Sequence, residues 1–348
     1  MIWLTWRQFR VQAVTAAAAL VALAVTLAVT GPHITHLYDL NRVGSCQAAG
    51  NCGAAVTLFM RELGTSYVEG IYILGTAVVL FAPALIGIFW GAPLIAREVE
   101  TGTFRLAWNQ SVTRTRWTAV KLTFVALASM AVAGLFSLML SWWAGPATHA
   151  AGMLANGPGG YVASNRFAPT VFATTGITPM AYAAFAFVLG AAVGLLVRRT
   201  VPAMAITLAV FAAVQVVMPL WIRPHLITPA RFARAFIPNN LTEITSSSDG
   251  HITVLDSTNV PGAWILSNHT VTTAGQTYTG PAAQACLSQT GSMQACANAL
   301  GGQHLRQVVS YQPAGRYWDF QWLEFGIFLA LALLLAGAVL WLVRRRLS

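Results

Sequence analysis

Charge is what this chain has least of. Asp, Glu, Lys and Arg make up 9% of its 348 residues, and Lys121 is the only lysine beside nineteen arginines. That is too little charge to cover a soluble globule of this size. The lone lysine also excludes a self-contained ATP site: Lys121 follows Thr118-Ala119-Val120 and lacks the Gly-x-x-x-x-Gly-Lys loop that cradles phosphates. Neither Gly-x-Ser-x-Gly nor His-Glu-x-x-His occurs, so neither a hydrolase nucleophile elbow nor a zinc-protease pair is available. No catalytic residue is assigned.

The charge that exists avoids six apolar runs, roughly 11–30, 71–95, 119–145, 179–197, 201–222 and 325–343, none of which has an Asp, Glu, Lys or Arg in its middle. Each run is about long enough to cross ~30 Å of hydrocarbon as a helix, where a central charge would cost ~2.5–3.5 kcal/mol. The pattern predicts an all-α polytopic membrane protein with six transmembrane helices. The first run is too long for a signal-peptide core, and Ala28-Val29-Thr30 is a poor cleavage site, so it reads as a retained span.

The remaining charge is unevenly shared. Segments 1–10, 96–121, 198–199 and 344–346 hold twelve of the twenty cations against only Glu98 and Glu100, whereas the other segments carry eight arginines and eight carboxylates. Cationic short loops stay in the cytoplasm, so both termini are expected there. Short juxtamembrane clusters of this kind face anionic membrane lipids rather than nucleic acid, which would need a folded basic face. Arginine in place of lysine points to a GC-rich bacterial genome and hence to a bacterial plasma membrane.

Three segments follow. Residues 1–222 hold an N-terminal interfacial helix, with Trp3, Trp6, Arg7 and Arg10 at helical spacing, and the first five spans. Residues 223–322 form an outer insertion, and 323–348 the sixth span and its tail. Within the insertion, Phe232, Phe236 and Ile237 beside Arg231 and Arg234 read as a surface helix over 223–240. The Thr/Val/Ile-rich stretch 251–279 reads as short strands and 281–300 as two small helices, giving a small α+β extracellular domain before the last helix. The Gly157-Pro158-Gly159-Gly160 stretch reads as an external turn.

All four cysteines lie on the predicted outer side. An oxidising compartment would close Cys46 with Cys52 and Cys286 with Cys296, although spacing alone leaves other pairings open. His33 and His36 sit one turn apart in the first outer loop, but a polar loop carrying two histidines explains them, and no metal site is assigned.

None of the runs carries an Asp, Glu, Lys or Arg near the membrane midplane, so an ion-gradient carrier would lack its coupling group. Gln215 is the strongest polar group inside a run; Thr76, Ser129, Ser137 and Thr207 read as hydrogen-bonding groups between helices. A separate ATPase is therefore implied, and loop 96–118 is its expected docking point. There the second span runs on through Glu98 and Glu100, and Gly102 supplies a stop. Phe104, Ala107 and Trp108 then share one face of a short amphipathic helix and Arg105 and Asn109 another, with Ser111 or Thr113 available to cap the next helix.

The loop Arg97-Glu98-x-Glu100-x-Gly102-Thr103, followed by Ser111-x-Thr113-Arg114 and Lys121, resembles the coupling region of permease subunits of bacterial ATP-binding-cassette exporters of the type-2 class. The resemblance extends over the chain, although the external insertion is longer than in many simple members. It implies two permease chains, identical or different, paired with two cytoplasmic ATPases that hold ATP and Mg2+, with no cofactor in this chain. It assigns coupling to Glu98, Glu100, Gly102, Thr103, Phe104, Arg105 and Trp108. It also implies a path lined by spans two and five, where Phe81, Phe89, Met204, Phe211, Gln215 and Met218 suit a hydrophobic or amphipathic substrate. The alternative is a signalling or mechanotransmitting subunit whose outer domain senses a ligand. A membrane-embedded enzyme is the weakest reading, because no run combines a nucleophile with a base.

Orientation is testable with Ser111→Cys and Ser257→Cys, made singly in a cysteine-free background. On intact cells a membrane-impermeant thiol reagent is expected to label the second variant and spare the first. The opposite pattern would overturn the orientation.

Overall fold

The computed structural model describes residues 2–46, 52–100, 113–153, 165–237, 241–246, 252–256, 260, 262–278, 300 and 302–346. The chain separates into two compact units, one built from residues up to Leu226 together with Tyr317 onward, the other centred on Ile227–Arg316.

Among the described residues, six helices are long and apolar enough to cross a membrane: Phe9–Leu40, Tyr67–Arg97, Thr115–Trp143, Thr178–Val197, Thr200–His225 and Ala314–Arg345. They coincide with the six apolar runs, and most extend past them. Residues 2–10 are the first turns of one continuous helix, Ile2–Leu40, rather than a separate element. No Gly or Pro precedes Gly31 and Pro32 in this stretch, so nothing interrupts the ladder once it is nucleated. After it, Cys46 and Cys52 form a disulfide with Cα atoms 5.1 Å apart, and the short helix Gly53–Gly64 leads to the second span. Ser66 caps that span by accepting from Val68 N at 3.3 Å. Cys286 and Cys296, and the segment 281–300 apart from Leu300, lie outside the described residues.

The fourth span is the centre of the bundle. Its most apolar window is 78% buried, against 6% for the first span. Its sequence explains this, because eight of the twenty residues of Thr178–Val197 are Ala or Gly and let neighbouring backbones come close. Against the second span the approach is closest at glycines. A Cβ on Gly91 would lie 2.3 Å from Phe187 O, and one on Gly190 would lie 2.2 Å from Gly87 O. Gly194 meets Ala92 O in the same way at 2.4 Å. Along this seam the second span becomes a π turn, Gly87–Gly91, just after Pro83 removes a backbone donor. Gln12 of the first span donates to Phe89 O within that turn at 3.1 Å, and Phe9 packs edge-on against Trp90. The fifth span loosens similarly, into a π turn at Met218–Ile222 that contains Pro219.

In the second unit, strands β1 (Ala230–Ala235), β4 (Trp264–Val271) and β5 (Arg306–Gln312) form an antiparallel sheet in the order β1-β5-β4, and β2 (Leu241–Ser246) pairs with β3 (Ile252–Asp256). β3 and β4 fall in the stretch expected to be strand. The surface helix expected over 223–240 is instead a 3-10 turn, Arg223–His225, followed by β1. A helix between Pro229 and Pro238 would be too short to be stable alone, whereas pairing with β5 satisfies the backbone and sets Phe232 against Tyr311.

The seam makes a direct prediction. Gly190→Val forces a branched side chain into a backbone-to-backbone contact and is expected to destabilise by about 1–3 kcal/mol or more, read as a lowered midpoint of thermal unfolding in detergent micelles. Gly326→Val, at a position with nothing within 4 Å of an added Cβ, is the control and should change little.

Candidate functional site

Between the second and fifth spans lies a cleft of about 330 Å³, closed on one side by the short helix Pro169–Thr174. Its walls are largely apolar, with Phe81 and Ala84 from the second span, Phe211 from the fifth and Ala173 from the short helix. Thr170 of the short helix is polar as well, and Gln215 and Arg223 are the polar members contributed by the fifth span. The π turn at Met218–Ile222 separates these two residues along the fifth span, and Arg223 stands at the start of the 3-10 turn that ends it.

Arg223 is 1% exposed although it was expected in an outer loop. Its guanidinium forms a fork with Glu324, Nε to Oε2 at 2.8 Å and Nη2 to Oε1 at 3.0 Å, and lies 3.9 Å from the centroid of the Phe172 ring. Tyr182 of the fourth span donates its hydroxyl to Glu324 Oε1. Glu324 itself is fully buried, because the sixth helix begins at Tyr317, well before the apolar run, and carries this carboxylate inward. Two opposite charges thus sit inside the helical unit, where sequence reading placed none. Such a pair persists only when both partners are present and their remaining valences are met.

A second buried group fixes the same region. Gln321 Oε1 accepts from Ile177 N at 3.0 Å and Thr178 N at 3.1 Å, while its Nε2 donates to Thr175 O at 3.2 Å and to the Tyr317 hydroxyl at 3.0 Å. It satisfies the free backbone donors at the start of the fourth span and ties them to the sixth. The interior polar residues expected to bridge helices divide. Ser137 donates across to Gly176 O at 2.9 Å, but Ser129 and Thr207 bond back to carbonyls four residues earlier in their own helices.

Of the six path residues, Phe81, Phe211 and Gln215 line the cleft together. Met218 is buried in the adjoining π turn, Phe89 is exposed on the second span, and Met204 is half-buried in the second turn of the fifth; these three do not line it. Of the residues expected to meet an ATPase, Glu98 lies on the helix Ala92–Glu100, which continues the second span, and its side chain lies outside the described residues. Glu100 is exposed, and its Oε2 accepts from Thr200 Oγ1 at 2.6 Å, joining the second span to the first residue of the fifth. Gly102, Thr103, Phe104, Arg105 and Trp108 lie outside the described residues. Thr113 occupies the N-cap of the third span without a side-chain capping bond. His33 stacks on Tyr67, and His149 Nδ1 is 3.3 Å from the Tyr38 hydroxyl. A larger cavity, about 860 Å³, lies against the third span and includes Tyr72, Leu138, Ser141, Arg166 and Trp318.

The family model described as ABC-2 membrane transporter related matches residues 17–223, more than half of the chain. The chain belongs to that family. No curated protein matches it, and no solved structure does. As an ABC-2 permease it is a multi-pass membrane subunit of an ATP-binding-cassette transport system. The match ends at Arg223, so the buried pair links the last matched residue to a sixth helix beyond the matched segment.

The four residues that sequence reading missed are Arg223, Glu324, Tyr182 and Gln321. A usable signal was present: Glu324 and Gln321 lie on one face of a helix that starts at a Tyr-Trp pair, before the apolar run begins. In this ABC-2 permease Arg223→Met alone leaves a buried carboxylate unpaired and is expected to cost about 3–5 kcal/mol. The double variant Arg223→Met with Glu324→Met should recover most of that loss. Unfolding in detergent checks both; equal stability of the single variant and the parent would show that the pair contributes nothing.

Proposed function

We propose that this chain is the permease subunit of an ATP-driven exporter, passing a hydrophobic or amphipathic substrate along the cleft between the second and fifth spans and taking its motion from a separate cytoplasmic ATPase. In this reading both termini and the loop after Glu100 are cytoplasmic, Ile227–Arg316 is extracellular, and two permease chains act together in a bacterial plasma membrane. ATP and Mg2+ belong to the partner.

The observation that carries the reading is the linkage at Glu100. The helix Ala92–Glu100 continues the second span to this residue, whose carboxylate accepts from both the backbone N and the hydroxyl of Thr200, where the fifth span starts. Force applied by a partner just beyond Glu100 therefore reaches both walls of the cleft. It reaches the fourth span as well, because Ala92 of the same helix is pressed against Gly194. The family match and the +10 cationic side support the same arrangement.

The test is a quadruple variant, Glu98→Lys, Glu100→Lys, Phe104→Ala and Trp108→Ala, which leaves the six apolar runs intact and also removes the hydrogen bonds from Thr200 to Glu100. Truncating aromatic anchors in a desolvated pocket commonly costs ~2 kcal/mol or more, so co-purification of the ATPase and transport-linked ATP hydrolysis in liposomes are both expected to fall. Normal binding and normal coupled turnover would reduce the loop to a charged hairpin. Thr200→Val separates docking from transmission: ATPase binding should persist while coupled turnover drops severalfold.

A further inference from the structure

Two nitrogens of the cleft residues have no hydrogen-bond partner among the described residues: Arg223 Nη1 and Gln215 Nε2. Both belong to side chains that line a cleft whose remaining wall is apolar apart from Thr170, and both are shielded from water. A buried donor left unmade is costly. It is tolerated where a ligand completes it. From these donors and these walls we infer that the cleft binds an uncharged amphiphile, seating its apolar body against Phe81, Ala84 and Phe211 and presenting an acceptor oxygen, such as an ester, ether or hydroxyl, to Gln215 and Arg223.

The charge state of the ligand follows from the pair. Glu324 already neutralises Arg223 through two hydrogen bonds, and Tyr182 donates to one of the same carboxylate oxygens. A carboxylate or phosphate ligand would add a second anion around one guanidinium in a water-poor site, where like charges disfavour one another. A cation would meet the Arg223 guanidinium and the Gln215 amide nitrogen, with the Gln215 amide oxygen as the one acceptor these two side chains offer, too little to replace its water shell. What remains is an oxygen with lone pairs and no formal charge. The volume, about 330 Å³, holds the head and first part of a chain rather than a whole lipid, so the rest of the molecule extends from the cleft.

This inference rests on reading the cleft as the substrate path, and its test uses the permease alone, without ATPase or nucleotide, so that a failure of coupling does not affect it. The full chain in phosphatidylcholine nanodiscs is exposed to three photoactivatable probes of equal chain length: a monoacylglycerol, the corresponding fatty acid anion and an alkane. The monoacylglycerol is expected to label peptides carrying Phe81 or Phe211 at least about tenfold more strongly than the alkane or the anion, as a buried hydrogen bond to a charged donor implies. Gln215→Leu, which keeps the volume and removes the donor, should lower that labelling about fivefold to tenfold. The double variant Arg223→Met with Glu324→Met removes the second donor without stranding a charge and should lower it further. Saturation at low probe fraction assigns the acceptor to a free amphiphile, and labelling proportional to the probe's share of total lipid assigns it to a bilayer lipid; either supports the chemistry. Equal labelling by the alkane, stronger labelling by the anion, or no effect of Gln215→Leu overturns it. So does protection of the cleft from every probe by a second permease chain cross-linked to it.

Discussion

The backbone seam between the second and fourth spans fixes where everything else in the helical unit stands. In lipid there is no hydrophobic force between helices, so association depends on close van der Waals packing and on internal satisfaction of polar groups. Gly87 and Gly91 facing Gly190 and Gly194 bring two backbones together along more than a helical turn, at distances no other residue permits. Because carbonyls touch the opposite chain there, the second span cannot rotate or slide without losing the contact. That rigidity places Phe81 and Ala84 on one wall of the cleft. It also fixes where Ala92–Glu100 lies against the fourth span, through Ala92 and Ala96 beside Gly194.

The seam needs an irregular backbone, and the irregularity has to be satisfied. A π turn widens the helix by one residue and loosens its regular hydrogen-bond ladder. Gln12 of the first span, donating to Phe89 O, serves this region from outside the helix. The same requirement governs the far end of the fifth span, where a second π turn precedes Arg223. A guanidinium taken out of water costs several kcal/mol, and so does a carboxylate. The fork between Arg223 and Glu324, the Tyr182 hydroxyl and the face of Phe172 together offset that cost and draw the fourth, fifth and sixth spans to one point. A single substitution would strand a charge, so the three helices are coupled through electrostatics as well as packing.

The six spans were legible because hydropathy and length act on each segment alone. Their ends were less so. Glu324 and Arg223 look like loop charges when a window is centred on apolar runs, yet helix Tyr317–Arg346 begins earlier and buries them. Burial of a charge is set by its partner on another element, which no local pattern encodes. β1 failed for the same reason, since Phe232 and Phe236 fit a helical spacing until β5 supplies a ladder. The Gly87-x-x-x-Gly91 and Gly190-x-x-x-Gly194 spacings were readable as a close-packing signal, whereas which pairs with which was not. At the site, Phe81, Phe211 and Gln215 were found from the two spans that the family resemblance implicates, and the donors that define the ligand's chemistry emerged only with the fold.

The fifth span is held by directional bonds at its ends and by dispersion between them. Thr200 is bonded to Glu100 at one end and Arg223 to Glu324 at the other, whereas among the described residues its side chains from Val201 to Ile222 make no hydrogen bond to another element. Dispersion contacts are individually small and reform at little cost when surfaces shift, while hydrogen-bonded ends keep their partners. A helix fixed in this way can change its curvature in the middle, where Phe211 and Gln215 face the cleft, without detaching from either neighbour. The π turn at Met218–Ile222 supplies the compliant point. Movement entering at Glu100 would then alter the width of the cleft while leaving the seam and the ion pair intact, so the rigid and the adjustable walls of the site belong to different spans.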